Sequence, residues 1–501
     1  MSSRTYKDAI DCLNTLQSNA ATLEASRASG GKLVLVAIPE TIEYLGRIGY
    51  KQEDLNKLNV IHVTGTKGKG STCAFTDSLL RHAKPEWKVG LFTSPHLVAV
   101  RERIRINGAP LPEEDFAKFF FEVWDRLDEN TARANPETFL KPMYFKFITL
   151  VAFHAFLSLK VDATILEVGV GGTYDCTNVV PTPVVTAISA LGIDHTAVLG
   201  KTLPEIAWQK GGIYKEGVPA LTVDQPEEGL KVLRERAAEK KASEFVVVPM
   251  TPGLSEVKLG LSGLHQYQNA NLAVHAAKTF LHRVAGITPA AELPDTFKTA
   301  LEKSRWPGRC QMVQDPKHPN TVWFLDGAHT VESLDCCMQW FVSPDAALRK
   351  TGKESRHTRI LVFNCTSGRS GSSFLGSMLA KAATQLQLFR SNEVSDELFD
   401  HVIFCTNVTY ADGGFKGDLT THAIADSDLA ELKTQNDLAA AWRSLVPPFP
   451  KDRVHVLPSI EHAVATVRKL ESGGPVDVLV AGSLHLVGGT MEVAKLAEVA
   501  L

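Results

Sequence analysis

An apolar run, Val60–Val63, passes through Thr64 into Gly65-Thr66-Lys67-Gly68-Lys69-Gly70-Ser71-Thr72. Three glycines, a lysine and hydroxyls between a strand and a helix suit the holding of phosphate. Glycines let backbone N–H groups converge on an anion, and a helix N-terminus adds partial positive charge. Lys69 then offers a point charge to the terminal phosphates. Apolar Phe75, Leu79 and Leu80 predict that the helix runs from Ser71 to Arg81. The spacing departs from G-x-x-x-x-G-K-[ST], because Gly65 lies close to Gly68 and Gly70 separates Lys69 from Ser71. A flexible glycine turn is the bland alternative. Strand context, the lysine and the Ser-Thr pair together favour nucleotide phosphate.

Other residues carry chemistry in less decisive settings. Glu167 ends the apolar run from Ala163 and precedes Gly169, Gly171 and Gly172. A carboxylate ending a buried strand costs several kcal/mol unless it is paired or binds a metal. A salt-bridged structural Glu and a metal ligand are about equally compatible with that. The stretch GVGGTY is not a dinucleotide fingerprint, because Tyr174 takes the third glycine position. His195 follows Asp194 at the end of another apolar run. Imidazole is an unusual partner for an oxygen-seeking ion such as Mg²⁺, so the residue alone reads as structural. Ser94 lies in Thr93-Ser94-Pro95 after Val89–Phe92, as a turn hydroxyl or a ligand. Lys210 sits in an apolar helix-like stretch with Ile206, Ala207 and Trp208. If buried, it needs a charge partner or a modification. An exposed or salt-bridged lysine competes with that reading.

The elements that must position these residues form an α/β series. Val60–Val63, Ala163–Val168, Val184–Ile193, Ile360–Phe363, His401–Cys405 and Val476–Val480 each end in a glycine-rich or polar turn. Helix-like stretches separate them, as in parallel sheets covered on both faces, which place ligands at the C-terminal strand ends. Helical spacing recurs at Ile10, Leu13, Leu16 and Ala20 and at Phe116, Phe119, Phe120, Val123 and Trp124. The stripe Phe147–Phe156 reads as core, His154 included. A helical stretch ends at Trp306-Pro307-Gly308, which places the expected domain joint near residue 305. The expected domains are 1–304 and 305–501, the second the smaller.

A chain of 501 residues exceeds one ordinary domain. Lys and Arg total 53 and Asp and Glu 56, a net charge of −3, which gives no support to a general polyanion or nucleic-acid binder. Eight scattered cysteines with no C-x-x-C resemble neither a disulfide scaffold nor a zinc module and point to a reducing compartment. The polar N-terminus, with Asp8 and Asp11, reads as neither secretory nor mitochondrial leader, although an upstream start adding a presequence stays open. No apolar run is long enough for a membrane span.

The blocks GTKGKGS, TSPHL (93–97), RERIRING (101–108), LEVGVGGTYDCTN (166–178), LGIDHTAVLG (191–200), AWQKGGIYK (207–215), HQYQNA (265–270), WPGR (306–309), DGAHT (326–330) and AGSLHLVGG (481–489) occur in that order. Together they resemble eukaryotic folylpolyglutamate synthases of the Mur-ligase-like superfamily. The resemblance implies a P-loop-type parallel-sheet ATPase domain followed by a smaller Rossmann-like α/β domain, with the site between them. It implies ATP-dependent addition of L-glutamate to the γ-carboxylate of a reduced folate or its polyglutamate through an acyl phosphate. ATP and Mg²⁺ are implied and a monovalent cation (K⁺) stays open; a cytoplasmic monomer is expected. Carried over residue by residue, Gly65, Thr66, Lys67, Gly68, Lys69, Gly70 and Ser71 hold phosphates. Ser94 and Glu167 hold Mg²⁺, and His195 contacts a second ion. Asn269, Arg309 and Asp326 contact ATP; Lys69, Lys210 and His329 serve catalysis, and some relatives carbamylate the lysine matching Lys210. Three positions depart from the family: Lys67 in place of Asn, Thr330 where many relatives have Asn, and NCTSGRSGSS (364–373) where relatives place an Arg-Asp pair. The last leaves Arg369 as a weak candidate for glutamate. Dihydrofolate synthesis, a non-catalytic ATP switch and a metabolic kinase remain the alternatives.

Overall fold

The structure, a computed structural model, describes residues 4–17, 37–136, 138–349, 356–365, 370–420 and 430–500. Ala20 and Arg369 lie outside the described residues.

Strands form where short apolar runs can be buried on both faces. Val60–Thr64 (β1), Val89–Phe92 (β2), Ile104–Ile106 (β3), Ala109–Pro110 (β4), Ala163–Glu167 (β5), Val185–Ile188 (β6), Pro219–Thr222 (β7) and Glu244–Val247 (β8) build one sheet. Its order is β4-β3-β2-β5-β1-β6-β7-β8. Pairing is parallel from β2 to β8 and antiparallel through the β3–β4 edge. Every residue of β1, β2, β5, β6 and β7 is buried, which is why these runs are predominantly apolar rather than alternating. After β1 the chain builds one side of the sheet and then crosses to β6 on the other. The C-terminal end of β1 is therefore a topological switch point, the usual ligand crevice of open α/β sheets. In register, Val63 lies opposite Glu167 on β5 and Thr64 opposite Ile188 on β6.

Helices Lys69–Ala83, Glu113–Glu129 and Tyr144–Leu159 fill the same unit. Phe116, Phe120 and Phe147 are fully buried, with Phe120 and Phe147 rings 4.9 Å apart. His154 is core, its Nδ1 2.7 Å from the Tyr50 hydroxyl and its Nε2 2.6 Å from Glu122.

A second sheet contains Gln311–Gln314 (β9), Thr321–Leu325 (β10), Thr358–Phe363 (β11), His401–Cys405 (β12), Val454–Leu457 (β13) and Val476–Ala481 (β14). Its order is β13-β12-β11-β14-β10-β9, with only β9 antiparallel. The last strand, β14, inserts between β10 and β11, so a second switch point lies at their C-terminal ends.

The chain forms two compact units, discontinuous in sequence. Leu97–Ala99 and Leu261–His265 group with Trp306–Leu501, and the remainder up to Arg305 forms the other unit. All eight cysteines are free. Among the described residues, no helix is long and apolar enough to cross a membrane.

Candidate functional site

At the end of β1 the chain turns through Gly65, where a Cβ would stand 1.9 Å from Ser189 Oγ. The loop can lie against the end of β6 only because that atom is missing. The amides of Thr66 and Lys67 both donate to the Ala190 carbonyl, at 2.9 and 3.1 Å. Ser189 Oγ donates to the Lys67 carbonyl at 2.7 Å, and Thr66 Oγ1 to that of Gly192 at 3.0 Å. These bonds correct the expected strand over Val184–Ile193. It ends at Ile188, and Ser189–Gly192 turns away to buttress the loop.

Gly68 is the N-cap of the Lys69–Ala83 helix at φ +88°, and a Cβ there would meet Asn269 Oδ1 at 2.0 Å. The structure thus brings Asn269 onto the loop. No side chain caps this helix, so the amides of Lys69, Gly70 and Ser71 lack intrahelical partners and suit an anion. Lys69 Nζ and Lys210 Nζ donate to one acceptor, the Gly65 carbonyl, at 3.1 and 2.8 Å. Lys210 is 3 % exposed, from the helix Leu203–Gly211. Burial first, and the Lys69 charge next, push its pKa well below the ordinary lysine range, against the pull of Asp194.

Glu167 ends β5 beside the loop, 3 % exposed, and its Oε2 accepts the Ser94 amide at 2.9 Å. The strand ends of β2 and β5 thus bring Ser94 to the carboxylate. Behind Glu167, buried Asp175 holds the glycine turn. It accepts the amides of Val170 at 3.1 Å and Thr177 at 3.0 Å.

Asp194 receives Lys67 Nζ at 3.0 Å and the His195 amide at 2.9 Å. Burial pushes this carboxyl upward, but Lys67 and His195 outweigh it and hold the pKa below the carboxylate range. His195 is surface-exposed, in left-handed backbone at φ +51°. Partial desolvation lowers its pKa; Asp194 opposes this, and Lys69, Lys210 and Lys67 add to it.

The other predicted residues belong to the second unit. Asp326 follows β10. Its Oδ2 accepts the Cys310 amide at 2.7 Å and Cys310 Sγ at 3.1 Å, and its Oδ1 accepts the Ala328 amide at 2.8 Å. Asp326 thus anchors two loops, a task its motif did not announce. Arg309 lies against Gly327, where a Cβ would meet its guanidinium at 2.5 Å. His329 Nδ1 is 2.9 Å from the Gly327 carbonyl, and Thr330 caps the helix Val331–Phe341. An Asn at 330 could cap equally well, so the family departure there is conservative.

The sequence reading missed Ser189 and the Lys67–Asp194 pair. The only signals were a serine after an apolar run and an acid next to His195. Their partners are more than a hundred residues away in sequence.

A glycine- and lysine-rich loop at the switch point of a parallel sheet, followed by a second parallel-sheet unit, defines a two-unit α/β protein with the Mur-ligase-like fold. Solved folylpolyglutamate synthases share the fold. That of Mycobacterium tuberculosis, complexed with ADP and AMPPCP, aligns with TM-score 0.69 at 21% identity over 94% of this chain and 98% of that one. The apo form from L. casei gives 0.65 at 20% over 99% and 100%. A complex with AMPPCP and folate gives 0.63 at 20% over 98% and 99%. No family model matches the chain. Folylpolyglutamate synthase of Saccharomyces cerevisiae (strain FostersO) is 42% identical over 505 aligned positions, 98% of this chain and 87% of the relative. The chain belongs to the folylpolyglutamate synthase family and is a ligase.

Proposed function

We propose that this chain adds L-glutamate to the γ-carboxylate of tetrahydrofolate and its polyglutamates, using ATP. The observation that carries the reading is the meeting of Lys69 and Lys210 on the Gly65 carbonyl, at an uncapped helix start beside buried Glu167. Two lysine side chains converging on one carbonyl at a helix start place their nitrogens where a polyphosphate would draw both. The family membership and the relatives solved with ATP analogues and folate support it.

A carboxylate resists attack by an amine until it is activated. In the proposed sequence the folate γ-carboxylate oxygen attacks the γ-phosphorus, ADP leaves, and an acyl phosphate forms. The glutamate amine then attacks the acyl carbon, phosphate leaves, and the nitrogen loses its proton. Positioning and charge neutralisation supply most of such catalysis. Gly65, Thr66, Lys67, Gly68, Lys69, Gly70 and Ser71 would hold the phosphates, Lys69 following the charge. Lys210, on the same carbonyl, would serve catalysis beside it. Asn269 would contact adenine, Arg309 phosphate and Asp326 ribose, while His329 orients the substrate. The expected division into 1–304 and 305–501 would thus hold only in outline: the unit of the loop would bind the nucleotide, and the unit of Trp306–Leu501, with Leu97–Ala99 and Leu261–His265, would be the ligase unit.

The donor set fits Mg²⁺, an ion that takes few protein oxygens and completes its shell with phosphate and water. Glu167 and Ser94 offer oxygens. Among the described residues no group of three or more His, Cys, Asp or Glu forms an all-protein cage. Glu167 and Ser94 would hold the ion, and His195 would contact a second; bound Mg²⁺ supplies charge neutralisation over the phosphates. A cytoplasmic monomer is the form proposed.

Purified chain with ATP, Mg²⁺, tetrahydrofolate and L-glutamate should yield a mass ladder spaced by one glutamyl unit. No ladder and intact ATP would reject the reading. Dihydrofolate made from dihydropteroate would add the second activity considered above.

A further inference from the structure

At the switch point of the second sheet, four polar side chains form a chain whose direction is fixed at both ends. Gln435, from the helix Lys433–Leu445, donates through Nε2 to the Cys405 carbonyl at 3.4 Å and to Asn364 Oδ1 at 2.9 Å. Asn364 Nδ2 donates to Asn407 Oδ1 at 3.1 Å, and Asn407 Nδ2 to Ser483 Oγ at 3.4 Å. Ser483 caps the helix Leu484–Val493 and also accepts the Leu486 amide at 3.4 Å. Gln435 and Asn364 are buried.

A carbonyl can only accept and an amide N–H can only donate. The Cys405 carbonyl therefore orients Gln435, Gln435 orients Asn364, and Asn364 orients Asn407. At the far end the Leu486 N–H occupies one lone pair of Ser483 Oγ, and Asn407 occupies the other. A hydroxyl with both lone pairs engaged has one remaining function, to donate its proton outward. Ser483 follows Gly482, whose amide bonds the Ala328 carbonyl at 2.8 Å, one residue before His329.

We propose that Gln435, Asn364 and Asn407 are positioning residues that hold the Ser483 hydroxyl as an obligate hydrogen-bond donor to an anionic oxygen of the substrates. That oxygen is a glutamate carboxylate or an ATP phosphate. The inference rests on the ligase reading above and gives the loop after β11 a function that needs no Arg-Asp pair. An uncharged relay suits the task, since it fixes a proton's direction without leaving a buried charge.

The test is a double-mutant cycle on full-length chain with Ser483→Ala, Asn407→Asp and the pair. Aspartate at 407 has no N–H, so the Ser483 proton would turn inward to it. Each single variant should raise KM for one substrate roughly 10- to 100-fold, the range of a lost hydrogen bond to a charged group. The change in kcat should be smaller. The double variant should be no worse than the poorer single one. Gln435→Met, which removes the distant anchor, should raise the same KM less and lower the melting temperature, because it leaves the buried Asn364 Oδ1 without its donor. A rise in KM for glutamate assigns the carboxylate, and a rise for ATP assigns the phosphate; either supports the relay. Multiplying losses in the double variant, or an unchanged KM in Asn407→Asp, would overturn it while wild-type turnover leaves the ligase reading standing. A wild-type chain that consumes no ATP overturns both.

Discussion

Lys69 makes one structural bond, to the Gly65 carbonyl, so its removal should spare the fold. Lys69→Ala is expected to lower turnover by two orders of magnitude or more, with a melting temperature within a few degrees of wild type. Steady-state ADP release and thermal unfolding check both halves, and wild-type turnover would disqualify Lys69 as the phosphate lysine. Arg309 lies against Gly327 and is only partly buried, so Arg309→Ala should raise KM for ATP about tenfold or more without unfolding. An unchanged ATP dependence would remove it from the site. The loop residues were readable because glycine, lysine and hydroxyl chemistry is written in consecutive positions. The anchoring duty of Asp326 was not, because its partner Cys310 lies on a different loop.

Among elements, the loop after β1 depends on two glycines. A Cβ on Gly65, at φ +155°, would strike Ser189, and one on Gly68, at φ +88°, would strike Asn269. Gly68→Ala should therefore cost about 1 kcal/mol for the backbone alone, plus displacement of Asn269, and weaken ATP binding. Adding Asn269→Ala should recover the steric part of the stability loss and leave the backbone part. Calorimetry of unfolding and of ATP binding separates the two, and no recovery would show that Asn269 yields freely. Central strands were legible from apolar runs because both faces are buried. The edges β9 and β13, with partly exposed positions, lack that signature. The overlong reading of Val184–Ile193 has a related cause, since composition does not distinguish a buried strand from the buried turn that continues it.

Over the whole molecule, buried His62 is one contributor to the response to acid. His62 lies inside β1 with Nε2 2.9 Å from Thr177 Oγ1 and Nδ1 buried without a partner, and burial lowers its pKa to about 3. The unfolded chain takes a proton near pH 6.5 that the native state refuses. The contribution of His62 is thus complete above that pH and is lost at up to about 1.4 kcal/mol per unit as pH falls toward 3. Asp175, raised by burial, works with the opposite sign, so a variant comparison is needed. Denaturant midpoints at pH 7, 6 and 5 should fall more gently in His62→Gln than in wild type; parallel slopes would assign the titration elsewhere. What no local reading could supply is the membership of Leu97–Ala99 in the second unit. Leu97 and Val98 pack into its core with Leu486, Val487 and Met491, and a Cβ on Gly488 would stand 1.8 Å from the Leu97 carbonyl. A fragment beginning at Trp306 would consequently be born with an apolar hole where a distant tripeptide belongs. Anyone dissecting this enzyme genetically should graft that stretch onto the piece, or expect it to clump through the uncovered helix.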